Sequence, residues 1–164
     1  MYRLFIIEDE AGIAQAIKTQ ACAARRRRQR QRLTLAQALA QALSAMETGI
    51  RWQRRPMPQL LAQLAQRPVC GTYFDAVREM LQSDMTLQIA WNRTFSRIPD
   101  AETAEVLRRM ELGGDETRLL TQLEDARQAL TTLAARWARE DAQDRRVAGA
   151  LALSAAGLLV ILLI

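Results

Sequence analysis

The sequence has no histidine. That one absence removes imidazole metal sites, Ser-His-Asp triads and imidazole proton relays. Its two cysteines, Cys22 and Cys70, are far apart and form no CxxC pair, so neither a zinc site nor a redox motif is indicated. They read as reduced, half-buried thiols. Aromatic residues make up 5% of the chain, and there are seven glycines and four prolines. β-Branched residues are also few, which leaves little material for a sheet. Lysine is nearly missing too: Lys18 stands alone, and the other cations are arginines. Glu8, Asp9 and Glu10 interrupt the first apolar run, so no cleavable leader is expected. A Gly-rich phosphate loop is lacking as well, because Gly113-Gly114-Asp115-Glu116-Thr117 has neither the lysine nor the spacing.

What remains is Ala, Leu, Gln, Arg and Glu, a composition for helices. The 164 residues give room for one domain with a modest core, and the net charge is +5. An all-α antiparallel helical bundle is expected. Its boundaries read as an atypical N-terminal segment 1–24, a helical bundle 25–146 and a terminal apolar helix 147–164.

Residues 1–10, MYRLFIIEDE, form the one stretch that reads as a strand, from Tyr2 to Ile7. From Ala11 the pattern turns helical to about Trp52, with Leu35, Leu39, Leu43, Met46 and Ile50 as an inward stripe. Pro56 and Pro58 break that helix. A short helix follows, with Leu60, Leu61, Leu64 and Ala65 inward, and then a turn at Arg67–Gly71. Thr72 is expected to cap a helix bearing Tyr73, Phe74, Val77, Met80 and Leu81. Ser83-Asp84 restarts the chain for Met85, Trp91 and Phe95. Pro99-Asp100 restarts it for Val106, Leu107 and Met110, and Gly113-Gly114 ends that helix. Asp115-Glu116 then opens the last and longest one.

In that final helix Leu119, Leu123, Ala126, Leu130, Leu133 and Trp137 alternate four and three apart, a seam for a partner helix. The matching seam is the Leu35 to Ile50 stripe. Beyond Arg145 and Arg146, residues 147–164 carry no charge and only Ser154 as a polar side chain. At about 1.5 Å per residue they span roughly 27 Å, near the ~30 Å apolar core of a bilayer. The expectation is therefore a C-terminal transmembrane anchor, with Arg145 and Arg146 at the membrane edge and the bulk of the chain cytoplasmic.

Two basic clusters stand out. Arg25 to Arg32 holds six arginines in eight residues. It reads as a solvated helix face, as a segment drawn to anionic lipid, or as a nucleic-acid contact; no interleaved aromatics support the last of these. Arg51, Trp52, Arg54 and Arg55 crowd a helix boundary and form a candidate docking patch for an acidic partner, since Trp and Arg are enriched in binding hot spots. In the competing reading Trp52 closes the end of the bundle and the arginines are solvated. The carboxylates Glu102 and Glu105, and Asp141 and Asp144, lie three apart on helices and read as solvated faces. No catalytic residue, cofactor site or metal site is expected, and the chain does not read as an enzyme.

The residues also carry a resemblance. From Arg25 to Ile164 the chain resembles the stage III sporulation protein AB family. That family reads Glu-Thr-Glu-Ile-x-Tyr-Gly-x-x-Pro-Leu, followed by Leu-Ala. Here the same stretch is Glu47-Thr48-Gly49-Ile50-Arg51-Trp52-Gln53-Arg54-Arg55-Pro56-Met57, followed by Leu64-Ala65. Trp91 stands in mid-chain, Leu112-Gly113-Gly114-Asp115 meets a Leu-Gly-x-x-Asp block one residue short, and Gly157 to Ile164 meets a Gly-Leu-rich end. The chain departs at Gly49, where the family has glutamate, and at Gln53, where it has glycine. The resemblance implies a cytoplasmic bundle similar to the F-type cytoplasmic domains of type II secretion systems. It also implies a membrane-anchored structural role in the mother-cell membrane around the forespore, with a secretion-type ATPase and other stage III sporulation proteins as partners. The alternative class is a membrane-tethered regulatory or nucleic-acid-binding protein that uses Arg25–Arg32. Residues 1–18 resemble, more weakly, the start of a response-regulator receiver domain, in which Glu8 and Asp9 would be the acidic pair; the later strands of a receiver are missing.

Overall fold

The computed structural model describes the backbone of residues 3–163 and the side chains of residues 20–143. Among the described residues the chain is all-α: α1 (Arg3–Arg51), α2 (Met57–Ala65), α3 (Gly71–Gln82), α4 (Leu87–Phe95), α5 (Ala101–Arg108) and α6 (Glu116–Leu163). It divides into two units, Met1–Arg32 and Leu33–Ile164. The first is a stretch of α1. The second is an antiparallel bundle built from the rest of α1 and the five helices that follow.

The core of the second unit follows the expected stripes. On α1, Leu39, Leu43 and Met46 are fully buried, and Leu35 and Ile50 pack against them. On α6, Leu123, Ala126 and Leu130 join the same cluster. A second cluster of Ala36, Ala134 and Trp137, flanked by Leu33 and Leu133, consists only of α1 and α6 residues, so these two helices meet along their seams. Between them the short helices contribute Leu60, Leu61 and Leu64 from α2, Phe74 and Val77 from α3, Trp91 and Phe95 from α4, and Leu107 from α5. The aromatic rings interlock. Phe95 lies 4.3 Å from Trp91 and 5.7 Å from Phe74, centroid to centroid, and Tyr73 stacks on Phe95 at 5.9 Å.

Polar groups inside this core are partnered. Trp91 Nε1 donates to the Leu107 carbonyl at 2.9 Å. Gln88 donates to the Met110 carbonyl and accepts from the Leu112 N–H, which ties α4 to the segment leading into α6. Asp100, at the expected restart of the chain, caps α5, its carboxylate accepting from both the N–H and the hydroxyl of Thr103. Asp115 caps α6 in the same way by accepting from the Arg118 N–H.

Several expectations are corrected. The strand at Tyr2–Ile7 does not form, because α1 is already under way at Arg3 and runs unbroken for 49 residues; the receiver-like beginning therefore lacks its first strand. Thr72 is not a cap: α3 starts one residue earlier, with Cys70 in the capping position. Thr86 caps α4 by accepting from the Ile89 N–H, and Ser83-Asp84 lies in the turn before it.

The transmembrane anchor is corrected as well. Among the described residues no helix is long and apolar enough to cross a membrane. The physical reason is plain over the described part of α6, which places Arg118, Glu124, Arg127, Arg136, Arg139 and Glu140 along its length and buries one face only. The side chains of residues 147–164, on which the anchor was placed, lie outside the described residues. The expectations that depended on the anchor go with it: the membrane-edge role of Arg145 and Arg146, whose side chains are likewise outside the described residues, the membrane as partner, the mother-cell membrane as location, and the tether in the alternative reading.

Two glycines mark close approaches. A Cβ on buried Gly49 would fall 2.3 Å from Leu60 Cδ2, so any side chain there would make the leucine of α2 change rotamer or shift. A Cβ on Gly71 would meet the Ala65 carbonyl oxygen at 2.3 Å. Just before it, Val69 adopts φ 72° while the Cys70 N–H donates to the Pro68 carbonyl at 2.9 Å, a strained three-residue turn for a β-branched residue.

These features set two predictions. Leu130→Ala should cost about 2–5 kcal/mol in chemical denaturation, whereas Gln128→Ala, on the exposed face, should change little. Equal shifts for the two would mean that the α6 seam is wrongly placed. In the turn before α3 the signs should oppose: Val69→Gly should stabilise by about 1 kcal/mol through relief of the left-handed valine, while Gly71→Ala should destabilise by more than that. Thermal melts of both variants check the pair.

Candidate partner-docking site

The residues of the basic and aromatic cluster are brought to one helix end. The last turn of α1 closes as the Trp52 N–H donates to the Thr48 carbonyl and the Arg55 N–H reaches back to the Gly49 carbonyl, both at 3.1 Å. That reversal needs a left-handed residue, and Arg54 supplies it with φ 46° in a place where glycine is usual. Pro56 then sets the extended entry to α2. Trp52 is left 77% exposed. It does not close the bundle end, as the competing reading had it.

The charges around it differ from one another. Arg51 pairs with Glu47 at 3.2 Å, and Glu47 also faces Arg127 of α6 at 3.9 Å. Arg55 Nη1 donates to Gln63 Oε1 at 3.0 Å. Neither Arg54 nor Arg55 has an acidic partner among the described residues. Elsewhere in the bundle Arg78, Arg108, Arg109, Arg118, Arg127 and Arg136 each face a carboxylate.

Among the described residues the bundle carries a groove beside this surface and another away from it. One, of about 430 Å³, lies between α1 and α2 beside the patch and is lined by Gln41, Ser44, Ala45, Thr48, Gln53, Gln63 and Arg67. Sequence reasoning missed Gln63 and Arg67. Their signal was present, since they lie four apart and off the Leu60-Leu61-Leu64 stripe. The other, of about 670 Å³, has a mostly apolar lining and runs between α5 and α6 past Ala101, Glu102, Glu105, Val106, Ala129, Thr132 and Leu133. Glu102 at its edge is bonded to Arg136, and that bond raises the guanidinium further above its ordinary value. Glu105 pairs with Arg108 and Arg109, so these carboxylates form no acid/base pair. Among the described residues no three His, Cys, Asp or Glu side chains gather to hold a metal.

The arginines of the other cluster, Arg25 to Arg28 and Arg30, are exposed on α1 within the first unit. Cys22 is exposed in the same unit, whereas Cys70 is buried in the second with its thiol 3.7 Å from the Ala38 carbonyl. Burial pushes the Cys70 thiol up, with nearby Arg67 pulling weakly the other way; burial also raises the Tyr73 phenol. For Cys70 the neutral form is favoured on folding. Its contribution to stability is therefore whole below the unfolded value of 9.0 and is lost as pH rises through the folded one. A disulfide thiol reagent at about pH 8 should label Cys22 rapidly and Cys70 only after denaturation. Equal labelling rates in the native chain would contradict the burial of Cys70.

Compared with known proteins, the family model for stage III sporulation protein AB matches residues 16–164. No curated protein and no solved structure matches the chain.

Proposed function

We propose, since this chain belongs to the stage III sporulation protein AB family, that it works as a helical docking module for an acidic face of another stage III sporulation protein. The chain is not an enzyme: its family is a structural, non-enzymatic one. In this reading Arg51, Trp52, Arg54 and Arg55 make the contact.

The observation that supports it most is Trp52, 77% exposed and followed by Arg54 and Arg55, which have no carboxylate partner among the described residues. An indole held in water forgoes roughly 25 cal/mol for each Å² of apolar surface that burial would remove. Exposed on a domain whose other tryptophans, Trp91 and Trp137, are buried, it offers a partner an apolar anchor with a cationic rim. Arg54 adds to this. A non-glycine residue at φ 46° costs about 1–2 kcal/mol, a cost that glycine would avoid but glycine has no charge to present.

Binding of the full chain to each of the other purified stage III sporulation proteins tests the proposal. Trp52→Ala should weaken the interaction by about 2 kcal/mol or more. Arg54→Glu with Arg55→Glu should weaken it too and flatten its salt dependence, with the melting temperature nearly unchanged. Arg54→Gly should raise the melting temperature and still lose affinity. If the doubly reversed chain binds with wild-type affinity and salt dependence, the arginines are surface and the docking reading falls.

A further inference from the structure

We infer that the groove between α1 and α2 is the receptor for a short carboxylate-bearing segment of the partner, an inference that rests on the docking reading above. The groove opens beside the patch: Gln53 lines it between Trp52 and Arg54 in the chain, and Gln63 lines it while accepting from Arg55. Patch and groove are therefore joined through Gln53 and through the bond from Arg55 to Gln63.

The chemistry of the lining selects the ligand. No carboxylate lines the groove. The Thr48 hydroxyl already donates to the Ser44 carbonyl at 2.9 Å. The Gln63 oxygen is used by Arg55, so its amide N–H groups remain as donors. Arg67 brings a guanidinium into the groove and makes no ion pair among the described residues, in contrast to the paired arginines on α3, α5 and α6. Arg93, Arg97 and Arg139 also lack carboxylates among the described residues, but they line neither groove. A cleft with a guanidinium, amide donors and no carboxylate of its own suits an acceptor with two oxygens, and a carboxylate meets a guanidinium in that geometry. At about 430 Å³ the groove takes a few side chains, not a helix. The occupant is thus an Asp- or Glu-bearing segment whose neighbouring apolar group covers Trp52.

The test titrates the full chain with a fluorescein-labelled hexaglutamate peptide, and with whichever stage III protein the preceding experiment retains. Arg67→Glu removes the cation, and Ser44→Trp fills the groove without changing charge. Each should weaken both ligands by roughly tenfold or more, whereas Arg93→Glu should have an effect of only about twofold. Melting temperatures confirm that the variants are folded. Loss with Arg67→Glu but not with Ser44→Trp would mean a diffuse charge effect and overturns the groove. Wild-type binding by both groove variants, with affinity lost only in the Arg54→Glu, Arg55→Glu chain, overturns the groove and leaves the docking reading standing. If patch and groove variants all bind like wild type, both fall. Peptide binding that disappears only when Arg25 to Arg28 are reversed assigns the acidic ligand to that run and overturns the groove as well.

Discussion

The constraint on which the bundle depends is the covering of one stripe. Leu39, Leu43 and Met46 project from a helix whose other faces are polar, and a helix with a single apolar stripe is held by whatever covers that stripe. The cover is α6, whose Leu123, Ala126 and Leu130 share a core with the α1 stripe, and whose Ala134 and Trp137 continue the contact to Ala36. The four helices between are eight to twelve residues long, too short to persist in water by themselves. They exist because Leu60, Phe74, Trp91, Phe95 and Leu107 find the same core. The hydrogen bonds from Trp91 to Leu107 and from Gln88 to Met110 then fix α4 against α5 and the chain beyond it, and leave few buried polar groups unanswered.

The parts of this fold that were legible in the sequence are those that repeat. The α1 and α6 stripes, the proline break after Arg55 and the restart at Pro99-Asp100 all follow from periodicity or from a side chain with one obvious local use. One error falls where a good capping side chain stands beside a helix start without making it. Thr72 is as good a capping type as Thr86, which does cap α4. What moves the start of α3 ahead of Thr72 is tertiary: the close passage of residue 71 over the Ala65 carbonyl and the tight turn at Val69. The strand at Tyr2–Ile7 failed because six residues rich in strand formers are a weak local preference beside a helix that continues for several turns after them. Gly49 shows the reverse case. Against its family pattern it looked like the loss of a glutamate, and in space it is the gap that Leu60 fills.

The candidate site was half legible. Arg51, Trp52, Arg54 and Arg55 are neighbours in the chain, so their clustering needs no fold. Whether Trp52 turns inward or outward is set by how α1 ends, and that depends on the left-handed Arg54 and the bond from Arg55 back to Gly49, neither of which has a periodic signal. Gln63 and Arg67 join the surface only because α2 doubles back along α1.

Electrostatics then separates structural arginines from available ones. Most pairs in the bundle, such as Arg78 with Asp75, join residues three or four apart on exposed helix faces, and each of these is worth at most about 0.5 kcal/mol. Pairs that bridge elements, Arg127 with Glu47 and Arg136 with Glu102, add little more energy but fix how α6 meets α1 and α5. A chain with net charge +5 has more cations than such pairs can use. The excess could be scattered, and Arg93, Arg97 and Arg139 are. At the end of α1 it is concentrated instead, beside an exposed indole and a groove without a carboxylate, and one of its arginines occupies a backbone conformation that glycine would hold at less cost. Stability alone would disperse those charges and bury or replace that tryptophan. The proposed docking role would account for all three departures at once.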